Sequence, residues 1–411
     1  MTPQRLVEIA DLHRRALLED VVPFWLRHSL DREHGGYVTY LDRQGGWYGT
    51  DKPIWLQGRE AWLFATLYAD VERRDEWLEA ARSGVDFLTR HAFDPRGKMY
   101  FLVTREGRPL RMRRYVYSEV FAIMALAALY RATGDELLRR RAIHLFKSFL
   151  TYLRVPGMIP PKIDPHTRPT KGLAPLMCLV SLCETLLRID PAGPYEPLID
   201  ETIEEIFRDF VKWDRRCVLE SVGPGGEVLE GPDGRVMNPG HAIECAWFIL
   251  EVARRRGDRA LVEQCCALID IAFERGWDAE HGGLLYFVDV DDRPPVQLEH
   301  DMKLWWPHNE ALIAALMAFV ATRQARYANM YEQLHAWTWR HFPDPEFGEW
   351  YGYLRRDGAV STPLKGGPWK GAFHVPRCLL QCWKLAEQAG AALSLIHISE
   401  PTRLLSISYA V

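Results

Sequence analysis

Three short stretches of the chain each set an imidazole beside a second polar group at a proline-marked helix start. They are "NPGHAIE" with His241 and Glu244, "WWPHNE" with His308 and Glu310, and "FHVPR" with His374 and Arg377. Proline is tolerated in the first turn of a helix and not deeper, so Pro239, Pro307 and Pro376 mark where these helices begin. Histidine takes up and releases protons near neutrality, and a carboxylate can fix its tautomer through the second ring nitrogen. Helix starts aimed at one point favour a bound anion there. The types and spacing therefore suit proton transfer beside negative charge.

Further groups of this kind are Arg59 and Glu60 in "PIWLQGREAW", Tyr117 and Glu119 in "YVYSEVF", and Lys162 in the loop before "KGLAPLMCLV". A lone histidine at a helix start is more often a cap or a satisfied core residue, and His308 alone reads that way. Glu60 alone reads as the partner of a neighbouring cation. His13, His28, His91, His144 and His335 fall on amphipathic stretches and read as surface or packing residues. Three histidine-bearing starts together, each tied to a proline and a polar neighbour, read as a site. His241, Glu244 and His374 could supply three metal ligands. No H-E-x-x-H or cysteine-rich spacing occurs, however, and Arg59 and Arg377 would bring positive charge, so no metal is expected. "KGGPWKG" is glycine-rich but lacks phosphate-loop spacing and reads equally as a flexible lid.

What elements must carry these groups? Six glycine- or proline-marked turns recur near Gly36, Gly97, Gly157, Cys217, Gly282 and Gly348, at successive spacings of 61, 60, 60, 65 and 66 residues. The third and fourth copies are degenerate. Between turns lie two helical patterns. Phe121–Tyr130, Leu176–Leu187, Ile243–Ala253 and Ala311–Ala321 are apolar all round and belong inside. Glu76–His91, Glu196–Trp213, Leu261–Trp277 and Tyr327–His341 have one charged face and belong outside. With the N-terminal helix as the first outer one, six inner–outer pairs close most simply into an all-α (α/α)6 barrel with short β-turn connections. An open solenoid is the alternative, but its repeats are usually shorter, ~20–50 residues. In the barrel all the polar helix starts meet at one mouth.

Composition agrees with a globular chain: of 411 residues, 48% are apolar and 26% charged, with a net charge of −4. The near balance of 51 basic and 55 acidic side chains gives no field for nucleic acid. The longest apolar run, Ala311 to Thr322, is too short to span a bilayer. The charged N-terminus is neither signal nor anchor, and eight cysteines without a C-x-x-C pair read as buried thiols of a reducing compartment. A cytoplasmic protein is expected. Residues 393–403 read "LSLIHISEPTR", the conceptual translation of a transposase adapter used in sequencing libraries. Everything over 393–411, His397 included, is therefore set aside, leaving 1–392 as a single domain.

The stretches "PIWLQGREAW", "NPGHAIECAWFILE", "KLWWPHNEALIA", "FPDPEFGEWYGYLRRDG" and "KGGPWKGAFHVPRC" closely resemble the N-acylglucosamine 2-epimerases. Renin-binding proteins, cellobiose 2-epimerases and sugar aldose–ketose isomerases are their relatives. The resemblance runs from about residue 5 to 390. It implies an (α/α)6 barrel, often dimeric, that interconverts N-acetylglucosamine and N-acetylmannosamine. It also implies catalytic roles for His241, His374, Arg59 and Glu310, and substrate contacts from Arg377 and Lys162. Glu244, His308, Tyr117 and Glu119 are expected as further substrate contacts from their places at the same helix starts.

Epimerisation at C2 of an open-chain aldose needs one group to remove the C2 proton and another to return it to the opposite face, which two histidines can do. Arg59 is the candidate for the enolate oxygen. No cofactor enters that chemistry. In part of the family ATP is an effector rather than a reactant, and no phosphate loop marks such a site here. The apolar start of "KGLAPLMCLV", where relatives carry polar residues, could receive an acetyl methyl. An aldose–ketose isomerase of the mannose type is the nearest alternative. A glycoside hydrolase would leave the histidines without a task.

Overall fold

Short paired turns link long helices throughout the chain. In the computed structural model, which describes residues 1–112 and 115–399 and gives side chains as far as residue 391, the N-terminal segment comprises α1 (Pro3–Arg15) and α2 (Val22–His28), joined by a π-helical turn. Then follow α3 (Ile54–Asp70), α4 (Asp75–His91), α5 (Tyr117–Thr133), α6 (Glu136–Arg154), α7 (Leu173–Leu187) and α8 (Tyr195–Glu205). The rest are α9 (Pro239–Arg256), α10 (Arg259–Gly276), α11 (Trp305–Thr322), α12 (Ala325–His341) and α13 (His374–Ser399). Helix α6 has no counterpart among the expected segments. It starts with Asp135 capping Leu137 N–H and buries Leu138, Ala142, Leu145, Phe146 and Phe149.

The two sequence patterns sort into two layers. Helices α3, α5, α7, α9, α11 and α13 pack side by side in that order. Each is covered by a neighbour: α4 on α3, α6 on α5, α8 on α7, α10 on α9, α12 on α11, and α1 on α13. Every residue from Trp305 to Phe319 of α11 is buried, as an all-round apolar helix requires. In α4 only Trp77, Ala80, Ala81, Gly84, Val85, Phe87 and Leu88 are, which is one helical face. The buried apolar side chains form one cluster from Leu6 to Ala389. All eight cysteines are free and buried. Gly58 lets α3 close onto α5: a Cβ there would lie 2.5 Å from the main-chain carbonyl carbon of Phe121.

The recurrent turns are hairpin nuclei. Leu30 pairs with Tyr37, Phe93 with Met99, Trp277 with Leu284 and Pro343 with Trp350, and Val211–Lys212 pair with Cys217–Val218. Over 155–170, the degenerate third copy, no strand pairing occurs among the described residues. A buried aspartate in three of these turns takes a buried lysine of its own loop and an arginine of the next hairpin. Asp31 meets Lys52 and Arg105, each at 2.8 Å, and Asp278 meets Lys303 at 3.0 Å and Arg356 at 2.8 Å. Asp344 meets Lys365 at 2.9 Å and Arg43 at 2.8 Å. This last arginine sits in the Leu41–Trp47 turn that follows the first hairpin, so the final connection is tied back to the beginning. The ring contact of Trp62 on α3 with Phe373, just before α13, spans the same junction at 5.2 Å.

Of the segment 393–411, only the backbone of 393–399 lies within the described residues, as a continuation of α13; the remainder lies outside them.

Candidate active site

The starts of the inner helices open on one cavity of about 590 Å³. Arg59 reaches it from α3, Tyr117 from α5, His241 and Glu244 from α9, and His374 and Arg377 from α13. Pro239 is the first residue of α9, and Pro307 and Pro376 are the third residues of α11 and α13, so the prolines do mark helix starts. Indole rings complete the walls. Trp306 touches both histidines, with ring centroids 4.9 Å from His241 and 5.9 Å from His374.

Each histidine is backed by a carboxylate, and the two environments differ. His374 Nδ1 lies 2.8 Å from Glu310 Oε1, which also accepts from Arg377 at 2.8 Å, while Trp247 Nε1 donates to Glu310 Oε2 at 2.9 Å. Burial, with Arg59 and Arg377 nearby, holds His374 well below the ordinary imidazole value, so it rests neutral. Glu310 is fully buried and lies behind His374, away from the cavity wall.

His241 Nδ1 lies 3.0 Å from Glu220 Oε2 and 3.1 Å from Oε1. Burial works to discharge it, but the Glu220 carboxylate outweighs burial and raises it above its usual value. The two imidazoles are thus pushed in opposite directions, His374 toward the neutral form and His241 toward the charged one. In both, Nδ1 is engaged, which leaves Nε2 as the nitrogen without a bond to the protein among the described residues.

Arg59 is 8% exposed and has no carboxylate partner among the described residues. Its guanidinium lies over the rings of Phe121 at 4.1 Å, Trp55 at 4.3 Å and Phe373 at 4.6 Å. Burial and the nearby Arg377 press its pKa down to about 9, which still leaves it charged at neutral pH. An unneutralised buried cation facing a cavity can stabilise a negative charge formed there. Arg377, by contrast, bonds both Glu244 and Glu310. Ligand atoms of Glu244, Glu310 and His374 lie within 4.8 Å of one another, a spacing a metal could bridge. The Arg377 guanidinium already bonds both carboxylates, so the cation among them is an arginine.

Three expected substrate contacts do not reach the cavity. His308 is fully buried: its Nδ1 donates to Leu304 O at 2.7 Å, its Nε2 accepts from Leu284 N at 2.9 Å, and its ring stacks on Trp337. Both nitrogens belong to the main chain, and burial pushes it down to about 3. Glu119 turns to the opposite side of α5 from Tyr117 and pairs with Lys98. Lys162 is exposed in the loop over 155–170 and does not line the cavity.

Glu60 has no cation partner among the described residues. Its one side-chain partner among them is the Ser29 hydroxyl, which also lies 2.6 Å from Trp25 O. Burial accordingly raises Glu60 well above the carboxylate range.

Glu220 was missed. It sits 21 residues before His241, between the short strands Cys217–Val218 and Ser221–Val222. Leu173 N donates to its carbonyl and its own N–H donates to Val236 O, both at 3.1 Å, which pins it between α7 and the approach to α9. Nothing in its local sequence distinguishes it from a surface glutamate.

Residues 35–378 match the N-acylglucosamine 2-epimerase (GlcNAc 2-epimerase) family. The N-acylglucosamine 2-epimerase of Bos taurus is 43% identical over 374 residues, covering 89% of this chain and 88% of that one. The Homo sapiens protein of the same name is 42% identical over 386 residues, 92% of this chain and 89% of that one. Among solved structures, cellobiose 2-epimerase from Bacillus thermoamylovorans superposes with a TM-score of 0.80 at 20% identity, over 91% of this chain and 98% of that one. By the extent of that match and the identity to its relatives, the chain belongs to the N-acylglucosamine 2-epimerase family.

Proposed function

We propose that the protein interconverts N-acetylglucosamine and N-acetylmannosamine by proton exchange at C2 of the open-chain sugar. The observation that carries this reading is the pair of carboxylate-backed histidines lining a single cavity. In it, His374 Nε2 removes the C2 proton of one epimer, negative charge develops on O1, and the Arg59 guanidinium stabilises that oxyanion. Protonated His241 then delivers a proton to the opposite face of C2. The return reaction uses the same groups with their protonation states exchanged. Glu310 and Glu220 act as positioning residues, and Tyr117, Glu244 and Arg377 complete the sugar-facing wall. His308, Glu119 and Lys162 have no task in this scheme.

The helix alternation is read as a closed (α/α)6 toroid of residues 1–392, supported by the Arg43–Asp344 and Trp62–Phe373 contacts across the junction. The chemistry draws on side chains alone, ATP acts as an activator, and the enzyme works as a cytoplasmic homodimer. Sedimentation with and without ATP tests the assembly.

Proton NMR of N-acetylmannosamine in D2O with the purified protein, first without and then with ATP, tests the activity. N-acetylglucosamine carrying deuterium at C2 is the expected product. A ketose formed from mannose, with the N-acetyl sugars inert, would replace the reading by an aldose–ketose isomerase.

A further inference from the structure

The cavity is chemically one-sided. Its ionisable groups nearest the histidines come from α3, α9 and α13, whereas α5 and α7 present Val120, Phe121, Met124, Ala174, Met177 and Cys178. Below Tyr117 at the rim, Ser181 is the one hydroxyl those two helices add to the lining. In the order of inner helices, α5 and α7 stand between α3, which carries Arg59, and α9, which carries His241.

The intermediate fixes what must meet this wall. An enolate is planar at C2, so C1, C3 and the nitrogen all lie in the plane between the two histidines. O1 on C1 belongs with Arg59, and the nitrogen substituent projects from the adjacent carbon, C2. The wall also has depth. Met124 lies seven residues below Tyr117 along α5, about 10 Å at 1.5 Å per residue, and Ser181 and Phe248 line the cavity at a similar distance along α7 and α9. An acetyl group spans only a fraction of that distance.

Resting on the epimerase reading above, we propose that the α5–α7 wall is an acyl-recognition face that admits N-acyl chains longer than acetyl, with Met177 setting its width and Met124 its depth. A sugar hydroxyl ring gains nothing from six such side chains, whereas each added methylene of an acyl chain leaves water against them.

The test compares N-acetyl-, N-propanoyl- and N-butanoylmannosamine, reading C2 deuterium incorporation and kcat/KM for each. For the parent protein the butanoyl sugar is expected within about tenfold of the acetyl sugar. Met124→Ala should raise the butanoyl-to-acetyl ratio about fivefold. Met177→Trp should lower it at least 30-fold, chiefly through KM, while slowing the acetyl sugar only severalfold. Thermal unfolding of both variants checks that they fold, and Met124→Ala keeps the test alive if Met177→Trp does not. A ratio unchanged within twofold in the folded variants, or a parent protein that loses 1,000-fold on going to butanoyl, overturns the acyl face and leaves the epimerase reading standing. Absence of C2 exchange with the acetyl sugar itself overturns both.

Discussion

Replacing Glu220 by glutamine isolates charge from orientation. The amide oxygen can still accept from His241 Nδ1, so the tautomer survives, but the negative charge that raises His241 is gone. The carboxylate stands 3.0 Å from the ring nitrogen, with side-chain exposures of 28% for His241 and 19% for Glu220. Solvent therefore screens the pair in part, and a charge-assisted hydrogen bond in such a place contributes about 1.5–3 kcal/mol. At about 1.4 kcal/mol per decade, that is a loss of about 10- to 150-fold in kcat/KM at neutral pH.

The pH profile gives the sign. In the direction in which His374 is the base, activity needs His374 neutral and His241 protonated, so kcat/KM falls on the acid side as His374 charges and on the alkaline side as His241 discharges. The return direction needs the same single proton on the pair and shares the profile. Removing Glu220 lowers the His241 value and moves the alkaline limb to lower pH, narrowing the bell. Because the sugars' equilibrium constant is fixed, both directions must lose the same factor. Rates of C2 deuterium exchange from each epimer across pH supply the assay. An alkaline limb that stays in place, with kcat/KM within twofold of the parent, would refute the assignment of His241 as the resting acid.

Arg59→Met removes the candidate oxyanion cation while keeping its length. It should lower kcat by about 100- to 1,000-fold, yet unfold at no lower temperature, because the parent buries that charge without a carboxylate partner. A parallel fall in melting temperature would mark Arg59 as structural. Glu60→Gln tests the protonated carboxyl. Glu60 is raised in the fold, so its contribution is complete below the unfolded value near 4.5 and is lost as pH rises. The variant should therefore gain on the parent in urea unfolding as pH climbs from about 5 to 8, by at most about 1.4 kcal/mol per pH unit; a pH-independent difference contradicts this. Asp344→Asn leaves Lys365 buried without its carboxylate and loosens Arg43. A destabilisation of about 3–5 kcal/mol is expected by chemical unfolding, and one under 1 kcal/mol would show that the junction is held by apolar packing.

The sequence made helix starts legible because proline and glycine chemistry is local, and it made the two layers legible because a helix that is apolar all round has only one place to go. It was less informative about direction. Residues two apart on a helix point about 200° apart at 3.6 residues per turn. Tyr117 and Glu119, or His308 and Glu310, therefore cannot serve one cavity equally, although each pair looks like a cluster on the page. His308 faces α12 and Glu119 faces Lys98 for that reason. Glu60, one residue on from Arg59, turns by about 100° toward Ser29 and finds no cation among the described residues. Glu220 escaped for another reason. A loop return held by main-chain bonds to Leu173 and Val236 brings it to His241, and such a return across some twenty residues carries no periodic signal.

The packing of α1 on α13 sets a long wait during synthesis. The inward face of α1, with Leu6, Ile9 and His13, is buried against a partner that begins only at His374. At about 5–20 residues per second, some 360 residues take on the order of 20–70 s to make. For that time an apolar stripe at the leading end of the chain has no native cover, and the last connection, Arg43 to Asp344, cannot form. Such long-range closure also slows the folding search itself. The nascent protein is thus most exposed to aggregation or chaperone capture just before completion, and mutations at the α1–α13 seam should show first as poor yield rather than as lost activity per folded molecule.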